Sequence, residues 1–158
     1  MAIDPGSVRI GVARSDPAGV LASPLTVLRR GRGALDALAS LAAAEEAMEI
    51  LVGLPRSLSG REGPAAVAAK RFAADLAARV APLPVRLVDE RFTTTMAHEA
   101  LRASGHDSRA RRQTVDSAAA AVLLEAALES ERRTGRVPGE LVAPAPGPPT
   151  SGRAGTAP

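Results

Sequence analysis

An apolar pair, Ala2-Ile3, runs straight into Asp4, and a tight Pro5-Gly6-Ser7 turn separates it from a second apolar run, Ile10 to Ala13. Pro by its fixed φ and Gly by its tolerance of positive φ suit such a turn, so the stretch predicts a β-hairpin with a carboxylate closing its first strand. Only Met1, Ala2 and Ile3 precede Asp4. A short first strand is expected, with the natural start upstream. Val20 to Leu28 reads as a third extended segment, and Pro24 within it argues for a sheet edge because proline cannot donate to a ladder. Leu35, Leu38, Leu41 and Ala42 recur at helical spacing, predicting a helix over Ala34 to Ala47. Ile50 to Gly53 is wholly apolar, as suits a strand inside a sheet. A second helix is expected from Pro64 to Arg79, with Val67, Phe72, Leu76 and Val80 near one face. Val85 to Val88 is the next strand, and Asp89-Glu90-Arg91 follow it. Thr93 to Ala103 reads as a short helix and Ser104 to Arg112 as a charged loop. Thr114 is positioned to cap a long helix over Val115 to Glu131.

The resulting order, β-β-β-α-β-α-β-α-α, predicts an α/β domain. Its mixed sheet is antiparallel on one side and parallel on the other, with helices on both faces. After Thr134 the pattern stops: the last 25 residues hold six Pro and five Gly. Residues 1–133 are therefore expected to form one globular domain and 134–158 a disordered tail.

Composition narrows the chemistry. Hydrophobic residues make up 46 % of the 158, yet aromatics only 1 %, so the core must be built from Val, Leu, Ile and Ala. Absence of cysteine excludes disulfides and thiolate chemistry and accords with a cytoplasmic setting. No run is apolar and long enough for a membrane span. The net charge is +3, carried almost entirely by arginine, with Lys70 the single lysine.

Three carboxylates, Asp4, Glu90 and Asp116, fall where strands or helices begin or end. Each has a plain explanation alone: a turn starter, a solvated strand end, and a charge in a helix's first turn. Together they suggest more, because in a parallel-type sheet the strand ends gather at one edge where sites form. Carboxylates converging there repel unless cations neutralise them, and such oxygen ligands suit Mg²⁺ or Mn²⁺. Basic stretches supply a candidate phosphate surface: Arg109, Arg111 and Arg112 before the last helix, and Arg56 and Arg61 after the G-L-P turn. With two aromatics in the chain, contact is expected through backbone charge rather than base stacking. His98 and His106 read as exposed residues, and Ala118 to Ala121 as a close-packing helix face.

Four motifs occur in order: I-D-P-G-S-V-R-I-G-V-A-R-S-D-P, L-V-G-L-P-R-S-L-S-G-R-E-G-P, V-D-E-R-F-T-T and V-D-S-A-A-A. Together they resemble the YqgF/RuvX family from Ala2 to about Leu128. The resemblance implies a ribonuclease H-like fold with strand order 3-2-1-4-5. It also implies a nuclease acting on the 5′ end of pre-16S ribosomal RNA, or on branched DNA as Holliday-junction resolvases do. It assigns Asp4, Glu90 and Asp116 to catalytic, metal-binding positions, and Arg9, with Arg91 beside Glu90, to the nucleic-acid surface. Two rival readings are nucleotide binding through the first hairpin, as in sugar-kinase and actin-like proteins, and a non-catalytic nucleic-acid-binding module.

Overall fold

β1 (Ala2–Pro5) lies at the centre of the sheet, paired antiparallel with β2 (Arg9–Ser15) and parallel with β4 (Ile50–Leu54). The computed structural model describes residues 1–55, 62–90 and 109–146, with side chains in the last stretch from Asp116 onward. β3 (Ala22–Arg29) pairs antiparallel with β2 and forms the edge that Pro24 predicts. A register shift between Val12 and Ala13 marks a bulge opposite it. On the other side, β5 (Val85–Asp89) runs parallel to β4. The expected order 3-2-1-4-5 is present and is extended by β6 (Glu140–Leu141), antiparallel to β5.

Strand alternation sorts the core onto two faces. Ile3, Ile10, Val12, Ile50, Val52, Val85 and Leu87 point to one face, where α1 (Ala34–Ala44) and α2 (Pro64–Val80) pack. Ala2, Ala13, Leu51 and Val88 point to the other, covered by α3 (Arg109–Thr134) through Ala120, Leu123, Leu124 and Ala127. Helices therefore lie on both faces, as expected. Ala119, Ala120 and Ala121 are buried, so the alanine run packs as expected.

Four sequence expectations need correction. α1 ends at Ala44 instead of Ala47: Glu46, at φ 49°, closes it, with Ala47 N–H donating to the Ala42 carbonyl and Glu46 N–H to that of Ala43. This is a Schellman cap built without glycine. In α2, Val67 is 61 % exposed, whereas Ala66, Ala69, Ala73 and Ala77 join Phe72 and Leu76 in the buried stripe. Alanines carry the stripe, and a reading weighted toward large side chains misplaces it.

The long helix begins at Arg109, so residues 109–112 are helical rather than loop and Thr114 is interior rather than a cap. That stretch lacks apolar periodicity, which hid it. Nor is the Pro/Gly-rich segment after Thr134 disordered throughout. Gly135, at φ 66°, ends α3 as its N–H donates to the Glu131 carbonyl, a left-handed cap. Gly139, at φ 81°, then passes so near β5 that a Cβ would lie 2.4 Å from the Leu87 carbonyl oxygen. Val142 N–H donates to Val85 and Ala145 N–H to Ala74. Backbone hydrogen bonds carry this docking, so side-chain periodicity could not reveal it. The short helix expected over Thr93 to Ala103 and His98 and His106 lie outside the described residues. No described helix is long and apolar enough to cross a membrane.

Candidate functional site

Asp4 sits near the C-terminal end of β1. By alternation with Ala2 it belongs to the α3 face. Its neighbours there are both glycines. Across the β1–β2 ladder its partner is Gly11. On the other side, Ile3 pairs with Val52, so the parallel register brings Gly53 beside Asp4. Each glycine leaves room that another group uses.

At Gly11, a Cβ would lie 2.0 Å from the backbone oxygen of Asp116. Helix α3 therefore rests directly on β2 at this point, and Asp116 is held beside the strand pair that carries Asp4. At Gly53, a Cβ would lie 2.8 Å from Glu90 Oε1 and 3.4 Å from Leu123 Cδ2. Glu90 follows β5, two strands from β1, and its carboxylate lies over Gly53 on the intervening β4. A side chain on β4 would block that path; glycine opens it.

The three carboxylates thus share one face at the C-terminal ends of β1, β4 and β5. Asp116 heads the helix stripe that continues through Ala120, Leu123, Leu124 and Ala127. It stands in the interior of α3, not in a first turn, so the macrodipole reading of its charge does not apply. Arg9 donates from Nε to Asp116 Oδ2, forming an ion pair with both side chains about one-third exposed. Among the described residues, no three acidic, histidine or cysteine side chains form a compact metal-binding group.

The remaining basic candidates are reached unevenly. Arg109, Arg111 and Arg112 occupy the first turn of α3, less than two turns ahead of Asp116; their side chains are not described. Arg56, Arg61 and Arg91 lie outside the described residues. Reading the sequence for charged residues missed the two glycines. The available signal was a glycine inside each apolar run, in I-G-V and V-G-L, where it marks a close approach rather than a turn.

Two cavities flank this region without containing it. One, of about 500 Å³, opens at the opposite end of the sheet between Arg14, Asp16, Glu46, Leu51 and Leu124. The other, of about 300 Å³, lies between β5, α3 and β6, beside Asp89, Leu123 and Gly139.

Comparison with known proteins agrees with the motif resemblance. A family profile described as RuvX, Holliday junction resolvase, matches residues 1–130. A relative from Nocardioides sp., provisionally named pre-16S rRNA nuclease, is 57 % identical over 145 residues, covering 89 % of this chain and 93 % of its own length. Relatives carrying the same provisional name are 56 % identical in Thermobifida fusca, over 90 % of this chain and 94 % of theirs, and 52 % in Streptomyces coelicolor, over 90 % and 86 %. Among solved structures, T. thermophilus RuvC in complex with Holliday junction substrate aligns with a TM-score of 0.47 at 17 % identity, covering 86 % of this chain and 96 % of that one. With the family profile spanning most of its length and relatives more than half identical, the chain belongs to the RuvX (YqgF) family.

Proposed function

We propose that this protein is a divalent-metal-dependent nuclease that hydrolyses phosphodiester bonds in maturing the 5′ end of pre-16S rRNA. The observation that carries the reading is the acidic face: Asp4, Glu90 and Asp116 on one side of the sheet, with Gly11 and Gly53 clearing the ground between them. The provisional name shared by relatives at 52–57 % identity supports pre-16S rRNA as the substrate.

The donor set fits a hard cation. All three candidates are carboxylates, whose oxygens suit Mg²⁺ or Mn²⁺, and the space over Gly53 holds a carboxylate oxygen where a Cβ would otherwise stand. Asp4, Glu90 and Asp116 share a face without forming a compact group, and would draw together to hold the ion. Bound there, such an ion supplies charge stabilisation at phosphorus and lowers the pKa of a water nucleophile. The protein's own groups do the rest. The central strand fixes Asp4, Gly53 leaves the room that the Glu90 carboxylate occupies, and Arg9 holds Asp116 while balancing its charge. Arg109, Arg111 and Arg112 supply cations at the start of α3 for backbone phosphates, and we include Arg56, Arg61 and Arg91 in the same surface.

The family description favours a second substrate, the four-way DNA junction. One experiment addresses both. Purified protein is incubated with a precursor rRNA fragment and with a four-way junction, each in Mg²⁺, Mn²⁺ or EDTA. Cleavage of the RNA with either metal and none in EDTA is expected. Asp4→Asn, which keeps size and removes one negative ligand, should cut the rate at least about tenfold with the fold intact. Full activity of Asp4→Asn, or in EDTA, would overturn the reading. Binding without cleavage would leave a non-catalytic module.

A further inference from the structure

β3 ends at Arg29, whose partner across the β2–β3 ladder is Arg9. Directly paired residues project to the same face of a sheet. Arg9 meets Asp116 on the α3 face, so Arg29 belongs to that face too, one strand further out. It is exposed. Arg30, the next residue, turns to the other face. There its guanidinium lies 5.4 Å from the Phe72 ring centroid and donates to the Gly6 carbonyl at 2.9 Å. Arg32, in the same loop, is again exposed.

Several arginines are occupied, Arg9 and Arg30 among them. Arg14 pairs with Glu45, Arg79 with Asp36, Arg86 with Glu49, and Arg132 donates to the carbonyls of Gly19 and Val20. No ion pair among the described residues engages Arg29 or Arg32. Like charges directly opposite in a ladder are unfavourable. Asp116 compensates Arg9 and leaves Arg29 as a cation beside the acidic face. Two strand spacings and a two-residue offset separate its backbone from that of Asp4, about 12 Å in all.

We propose that Arg29 and Arg32 form a phosphate-binding rail at the β3 edge, holding the nucleic-acid strand on the side of the carboxylates away from β5. The ligand is the phosphodiester backbone, read by charge and independent of base sequence. The proposal rests on the nuclease reading and adds a binding surface to it.

The test is fluorescence anisotropy with labelled single-stranded RNA and DNA of one sequence, in EDTA, across a salt series. Wild type is compared with Arg29→Ala/Arg32→Ala, with Arg29→Lys/Arg32→Lys, and with Arg133→Ala at the far end of α3. The double alanine variant should bind both polymers more weakly. Its slope of log K against log salt should fall in magnitude by about 1.4, at about 0.7 for each phosphate no longer neutralised on a single strand. The lysine variant should recover most of the slope, because it keeps the charge, and Arg133→Ala should match wild type. If the double alanine variant keeps the wild-type slope, the rail is overturned and the nuclease reading stands. If wild type binds neither polymer, both fall. Circular dichroism of each variant distinguishes a weakened binding surface from an unfolded protein.

Discussion

Gly11 and Gly53 both border Asp4, but they fail differently when filled. A methyl at Gly11 meets a backbone oxygen at 2.0 Å, and no side-chain rotation relieves that. Helix α3 would have to lift from β2, so Gly11→Ala should cost about 3 kcal/mol or more, the upper range for overpacking, as read from urea unfolding. A methyl at Gly53 meets the end of the flexible Glu90 side chain. Gly53→Ala should therefore fold with a near-native midpoint and lose cleavage, because Glu90 is pushed away from Asp4. An active Gly53→Ala would show that Glu90 need not lie over β4. At this scale the carboxylates were legible in the sequence, since charged residues at strand ends stand out. The glycines were not, because their importance lies in what crosses over them from other strands and helices.

Two turns allow element-scale tests. Glu46 closes α1 at φ 49°, a left-handed conformation costing a non-glycine residue about 1 kcal/mol or more. Glu46→Gly should stabilise the protein by about 0.5 to 1 kcal/mol, after part of the gain is offset by unfolded-state entropy. The β2–β3 connection is held by Asp16, whose Oδ1 accepts N–H bonds from Leu21 at 2.9 Å and Val20 at 2.7 Å. Those bonds favour the ionised form and draw its pKa below the usual 3.8. A carboxyl with a depressed folded pKa contributes stability above its unfolded pKa and loses it as pH falls through the folded one. Stability should therefore drop below about pH 4, and Asp16→Asn, keeping an acceptor oxygen, should remove that portion of the acid sensitivity. A pH series of denaturant midpoints for the two proteins measures it. Most strands and helices could be read from apolar periodicity. What escaped was the first turn of α3, polar and arginine-rich, and β6, whose two exposed residues join the sheet through backbone bonds.

At the scale of the molecule, the chain does not finish with α3. After Gly135 it returns along β5, and Val142 packs against the core beneath α2. Truncation after Thr134 removes the β6 ladder and the backbone bonds of Val142 and Ala145, and uncovers Val85 and Leu87. At about 0.5 to 1.5 kcal/mol per bond, a cost of about 2 to 4 kcal/mol is expected, seen as a fall of several degrees in Tm. An unchanged Tm would show that the segment contributes nothing to the fold.

The two margins of the sheet carry a consequence for how copies of this chain meet in a crowded cell. β3 interrupts its outer ladder with Pro24 and faces a bulge; β6 offers only two residues, its neighbour Gly139 turned into a left-handed bend. Neither margin presents the long, flat row of free amides and carbonyls on which a foreign strand can template itself. Aggregation by strand addition is therefore discouraged at both ends by backbone geometry alone. The exposed arginines at the β3 margin thus stand on an edge that does not invite a second polypeptide.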